Sequence, residues 1–241
     1  MRSLIRPGVR SDGPAVVGAV VALLAARNLG EVVLPGASYV PTNMSVGAVL
    51  LAVARRTGSS WEDLGLGRPV GRGLAVGGAA ASVAVAGMLV GAALPTTRGL
   101  FADERVPADA GAWERLYQMG IRIPLGTVVF EELAFRSVLL ALLCRRLPST
   151  TAVAVDSALF GLWHIVPTLA TARANGIMGL RRAGLVLGSV LATTAGGTVF
   201  CALRLRGRHV LAPAMLHLGV NDAGYLLAWW VRRIPARESR V

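Results

Sequence analysis

The chain has 241 residues, 54% of them hydrophobic and only 16% charged, with a mean hydropathy of +0.59, whereas soluble domains carry about a quarter charged residues. That balance argues against an ordinary water-soluble domain and points to lipid. The formal charge is +12 and every basic residue is Arg, but these arginines lie between apolar runs rather than along one face, which fits the cytoplasmic-loop excess of membrane proteins and not a nucleic-acid surface.

A membrane-spanning helix needs about 20 apolar residues, and candidate spans fall at 14–34, 38–54, 70–94, 118–143, 150–170, 183–203 and 209–231. The first follows Arg2, Arg6 and Arg10 and runs into Arg27, Asn28 and Glu31 without a small-residue cleavage site. It therefore reads as a retained helix and not as a signal peptide. Arginines then mark every second connection: Arg55, Arg56, Arg68 and Arg72, next Arg145 and Arg146, next Arg204, Arg206 and Arg208. The 35–45 connection is uncharged, and 95–117 is acidic through Asp103, Glu104, Asp109 and Glu114.

The pattern predicts an all-α, polytopic transmembrane bundle of about seven helices (six to eight), with its amino terminus in the cytoplasm. Two groups resist a strict scheme of seven. Arg173, Arg181 and Arg182 fall on the expected outer side, as does the tail with Arg232, Arg233, Arg237 and Arg240; a re-entrant or half-length segment would reconcile the tail. Small residues at four-residue spacing, Gly87 with Gly91 and then Gly184, Gly188, Ala192 and Gly196, predict ridges for close helix packing. Cys144 and Cys201 form no spaced pair, which argues against a disulfide framework and a Cys-rich metal site.

Residues 128–143 read VVFEELAFRSVLLALL, three charges inside a run otherwise apolar enough to cross a bilayer. Ionisable residues at that depth are costly and are functional candidates by default. On a helix, residues four apart share a face, so Glu132 pairs with Arg136 and His217 with Asn221. Glu131 is turned about 100° from Glu132 and is left as the carboxylate free to act. Two of the three histidines, His164 and His217, lie inside apolar runs. At 1.5 Å per residue, Glu131 lies about 21 Å from Arg145, His164 about 21 Å from Thr150 and His217 about 13 Å from Arg208. A common pocket opening toward the cytoplasm is geometrically consistent with these depths. Phe160 reads as core packing beside His164, and Asp156 and Asp222 stay outside the catalytic set.

In order, the EExxxR of Glu131, Glu132 and Arg136, the FxxxH of Phe160 and His164, and the HxxxN of His217 and Asn221 resemble the three signature motifs of the CPBP family. These are intramembrane proteases that include CAAX prenyl endopeptidases and bacteriocin-processing or immunity proteins, also called Abi. The WEDLGLGR stretch, Trp61 to Arg68, resembles the loop that precedes the core in bacterial members. The resemblance implies helices and loops over 1–114, a protease core over 115–235 and a tail over 236–241, in an integral protein of the bacterial cytoplasmic membrane.

The activity it implies is hydrolysis of a peptide bond in a membrane-tethered protein or peptide, with the bilayer as the other partner and no nucleic acid. In the roles that follow, Glu131 with His164 activates water, His217 with Asn221 stabilises the oxyanion, and Glu132 and Arg136 position the first carboxylate. Glu131, His164 and His217 also match the ligand set of a catalytic zinc, so a zinc-assisted and a metal-free glutamate mechanism both stay open. The alternative from another class is a non-enzymatic immunity or scaffold protein that uses the same polar cluster to lock helices.

Overall fold

A computed structural model describes residues 13–34 and 36–234. The arginines at 2, 6, 10, 237 and 240 and the 236–241 tail lie outside the described residues. Eight helices and no strands occur among the described residues: α1 (Gly13–Gly30), α2 (Tyr39–Arg56), α3 (Val70–Ala93), a composite rod α4, α5 (Ser149–Trp163), α6 (Ile165–Ala174), α7 (Gly179–Gly207) and α8 (Leu211–Arg232). The rod α4 joins α-helical Ala112–Tyr117, π-helical Gln118–Val129 and Glu132–Leu139, and α-helical Leu140–Cys144. An all-α membrane bundle was the expectation, and this is one.

Four segments are long and apolar enough to cross a bilayer: Gly36–Arg56, Val70–Ala93, Ser149–Ala174 and Gly179–Gly207. The third contains both α5 and α6, so two helices share one span. The break between them has a covalent cause. Pro167 has no N–H to offer the carbonyl of Trp163, and the chain turns at His164 before α6 resumes. Large apolar side chains face outward along the bundle, among them Val83, Leu89, Val90, Leu187 and Leu191, as lipid-facing helices require.

The bundle has two chemically different ends. At the arginine end, Arg145 donates to the Thr57 carbonyl at 3.1 Å, Arg72 to that of Arg206 at 2.8 Å and Arg204 to that of Asp63 at 2.9 Å. The WEDLGLGR loop is seated there: Leu64 is fully buried, its carbonyl accepts from Ser137 at 2.7 Å, and Gly65 accepts from the Val210 N–H at 2.8 Å. Gly65 has φ +68°, and a Cβ there would collide with the Arg204 guanidinium. At the opposite, loop end, Arg232 pairs with Glu104 at 2.7 Å and donates to the Val106 carbonyl.

The predicted glycine ridge on α7 is corrected by the structure. Gly184, Gly188 and Gly196 meet nothing within 4 Å, as does Gly87 on α3. Close approach happens elsewhere. A Cβ on Gly77 of α3 would lie 2.5 Å from the Ala212 carbonyl of α8, and one on Gly161 of α5 would overlap Thr194 of α7.

Candidate active site

The site is built on the rod. Pro124 removes one backbone donor inside it, and the helix widens into π turns on both sides of Phe130 and Glu131. Such widened turns are uncommon and gather at functional positions. Where the first π segment ends, the Phe130 N–H bonds to the Thr127 carbonyl, leaving that of Gly126 to accept from Asn43 of α2 at 2.6 Å. Asn43 is fixed in turn by Arg27 of α1.

Glu131 and Glu132 both reach His217 of α8. The Nδ1 of His217 donates to Glu132 Oε1 at 2.8 Å, and its Nε2 lies 3.8 Å from Glu131 Oε2. The expected division, with Glu132 turned to its own helix and Glu131 to a neighbour, is thus only half present. Glu132 does keep Arg136 at 3.8 Å, but it also holds the imidazole. Glu131 Oε1 accepts from Trp163 Nε1 at 2.9 Å, while the Oε2 atoms of both glutamates have no hydrogen-bond partner.

Arg136 has no exposed surface. Its guanidinium lies 3.8 Å over the Phe160 ring and 4.9 Å over that of Phe200, and it faces Asp156 of α5 at 4.0 Å as well as Glu132 at 3.8 Å. Asp156 is itself fully buried and accepts from the Cys201 thiol at 3.1 Å. Phe160 therefore separates the buried arginine from the histidines rather than merely filling core. The His164 ring meets its edge at 4.6 Å between centroids and the His217 ring at 6.3 Å.

His164 is half-buried, and its Nδ1 lies 2.8 Å from the Phe160 carbonyl. A carbonyl only accepts, so Nδ1 carries the proton and neutral His164 presents a lone pair at Nε2. Asn221, one turn beyond His217, lines a cavity of about 910 Å³ whose wall also includes Thr127, Arg122, Tyr225, Asn175 and Asp103. Thr127 and Asn221 lie within a turn of Glu131 and His217, so this cavity leads toward the cluster. It opens at the loop end; at the arginine end, where the WEDLGLGR loop is seated, a separate small pocket is lined by Glu62, Asp63, Arg68, Arg136, Arg204 and Arg208. At its mouth, burial would raise the Asp103 carboxyl, but the Arg105 hydrogen bonds and the charges of Arg105 and Arg232 outweigh it and hold the group below its ordinary 3.8.

Of the expected residues, Glu131, Glu132, Arg136, Phe160 and His217 form one contiguous cluster, His164 joins it through Phe160, and Asn221 faces the cavity. Sequence reasoning missed three contributors. Asp156 had a signal, because Asp156, Phe160 and His164 repeat at four residues along one face. Trp163 and Asn28 had none. As to a metal, no group of three or more His, Cys, Asp or Glu side chains among the described residues is arranged to hold an ion. One oxygen of Glu131 is taken by Trp163 and Nδ1 of His217 by Glu132, which leaves Glu131 Oε2 and His217 Nε2 3.8 Å apart.

Searches of curated proteins and of solved structures each found no match. Residues 113–222 match the family described as type II CAAX prenyl endopeptidase Rce1-like, which spans the rod through Asn221 and contains every signature residue. Over that segment the chain is similar to the Rce1-like type II CAAX prenyl endopeptidases.

Proposed function

We propose that the protein is an intramembrane endopeptidase that hydrolyses a peptide bond in a membrane-associated protein or peptide, with Glu131 as the base. The observation that carries this reading is the 3.8 Å gap between Glu131 Oε2 and His217 Nε2, each one helical turn from a residue in the cavity wall, Thr127 and Asn221. A water at about 2.8 Å from each atom satisfies both, within ordinary hydrogen-bond distance. We read residues 115–235 as the catalytic core, 1–114 as its support, and the arginine end as cytoplasmic.

Glu131 Oε2 takes one proton from that water, and the neutral Nε2 of His164 accepts a hydrogen bond from the other. The oxygen attacks the peptide carbonyl carbon, and the carbonyl electron pair moves to its oxygen. Donors for that oxyanion come from Asn221 and from His217 in its imidazolium form between the two glutamates, whose Nδ1–H is committed to Glu132 so that Nε2–H is the donor left to use. Collapse breaks the C–N bond, and the proton on Glu131 passes to the departing amine. General-base catalysis contributes about 10²–10⁴-fold, and losing an oxyanion donor costs about 2.7–4 kcal/mol. Because no three His, Cys, Asp or Glu side chains among the described residues are arranged to hold an ion, no step is routed through one.

The non-enzymatic immunity or scaffold reading draws support from the Arg136 cage, which ties α4 to α5 and α7. It leaves the unpaired Glu131 Oε2 without a role. Comparing protein termini in membranes of cells carrying wild type or Glu131→Ala separates the two. The protease reading expects at least one membrane protein whose new terminus appears only with wild type, at equal accumulation of both chains. Identical termini would overturn it.

A further inference from the structure

We infer that Trp163 is a positioning residue for Glu131, and that α1, outside the matched segment, belongs to the site through Asn28; this rests on the protease reading above. A carboxylate turns easily about its terminal torsion, with two equivalent orientations. The Trp163 indole removes that freedom by donating to Oε1 at 2.9 Å, which leaves Oε2 directed at His217. The indole is itself fixed. It is buried, with the Phe130 and Phe135 rings each 5.8 Å away between centroids.

The backbone of Trp163 is fixed by a second device. Four residues on stands Pro167, so the Trp163 carbonyl has no helical donor. A buried acceptor left unpaired is costly, and Asn28 of α1 supplies the missing hydrogen from Nδ2 at 2.9 Å. Asn28 is buried as well, in the half of α1 where Arg27 holds Asn43. His164 follows Trp163 directly, so one clamp sets both the indole that orients Glu131 and the start of the imidazole that faces the water. A helix with no signature residue thereby fixes the geometry of two that have one.

Two measurements test this on the full chain. In lipid nanodiscs with ¹⁵N-labelled tryptophan, the Trp163 indole signal is identified by its loss in Trp163→Phe. We expect its proton to exchange far more slowly than that of exposed Trp113 and its shift to move in Glu131→Gln but not in Glu104→Gln. An indole that exchanges freely, or ignores Glu131→Gln, overturns the inference without any substrate.

The second uses cleavage of the protein whose terminus distinguishes wild type from Glu131→Ala. Trp163→Phe keeps the ring and drops the donor, and should lower kcat about tenfold to a hundredfold with KM unchanged, as expected for a misplaced base. Asn28→Ala should lower it about threefold to tenfold by the same logic, and Pro167→Ala, which restores an N–H, should recover part of that loss. Wild-type kcat in Trp163→Phe sinks the inference alone, whereas cleavage by Glu131→Ala sinks the protease reading.

Discussion

A guanidinium with no exposed surface needs charge nearby, and Arg136 has two carboxylates at 3.8 and 4.0 Å and the Phe160 and Phe200 rings beside it. Breaking a buried pair leaves an uncompensated charge and costs about 3–5 kcal/mol. Arg136→Met should therefore lower thermal stability of the detergent-solubilised protein by that order, and Asp156→Asn in the same chain should return about 0.5–3 kcal/mol of it, the range of coupling between contacting residues. A double variant no more stable than Arg136→Met would remove Asp156 from the network. At this scale much was legible: the motif residues were found by counting charges in apolar runs. Asp156 was visible at spacing four from Phe160 but set aside because a single acid near a helix start also reads as a solvated cap. Trp163 could not be found, since an indole in an apolar run gives no sign of where its one N–H points.

Among the elements, the rod departs most from what periodicity implies. Reasoning at 3.6 residues per turn separates Glu131 from Glu132, whereas the π segments around them let both carboxylates meet His217. Pro124 lies inside the rod, and the reading of 118–143 as one regular span passed over it. The helix ridges were legible as a type of contact and misassigned in position, because a small residue says only that a neighbour can come close, not that one does. The α5–α7 crossing at Gly161 tests the corrected assignment. Gly161→Ala should destabilise the protein by about 1–3 kcal/mol, the usual cost of overpacking, while Gly188→Ala, which meets nothing within 4 Å, should stay within about 0.5 kcal/mol. Equal melting of the two variants would contradict that packing.

Over the whole molecule, alternating loop charge correctly implied a helical membrane bundle with unlike ends. What it could not convey is which end the pocket faces, because that depends on a connection folding back. WEDLGLGR folds over the arginine end with Leu64 as its buried anchor and leaves only a small pocket there, while the larger cavity reaching Asn221 opens beside the Arg232–Glu104 pair. Substrate is thus expected to approach from the loop end, where the chain between α3 and the rod forms the rim. The central claim is that Glu131, poised against His217 inside the membrane, activates the water that cuts the peptide. Its most direct test is cleavage of the substrate by purified protein in lipid vesicles, treated with chelator and compared with Glu131→Gln. The account predicts undiminished cleavage by chelator-treated wild type and at least about a hundredfold loss in Glu131→Gln, the low end of general-base catalysis; wild-type cleavage by Glu131→Gln, or activity that disappears with chelation and returns with zinc, would contradict it.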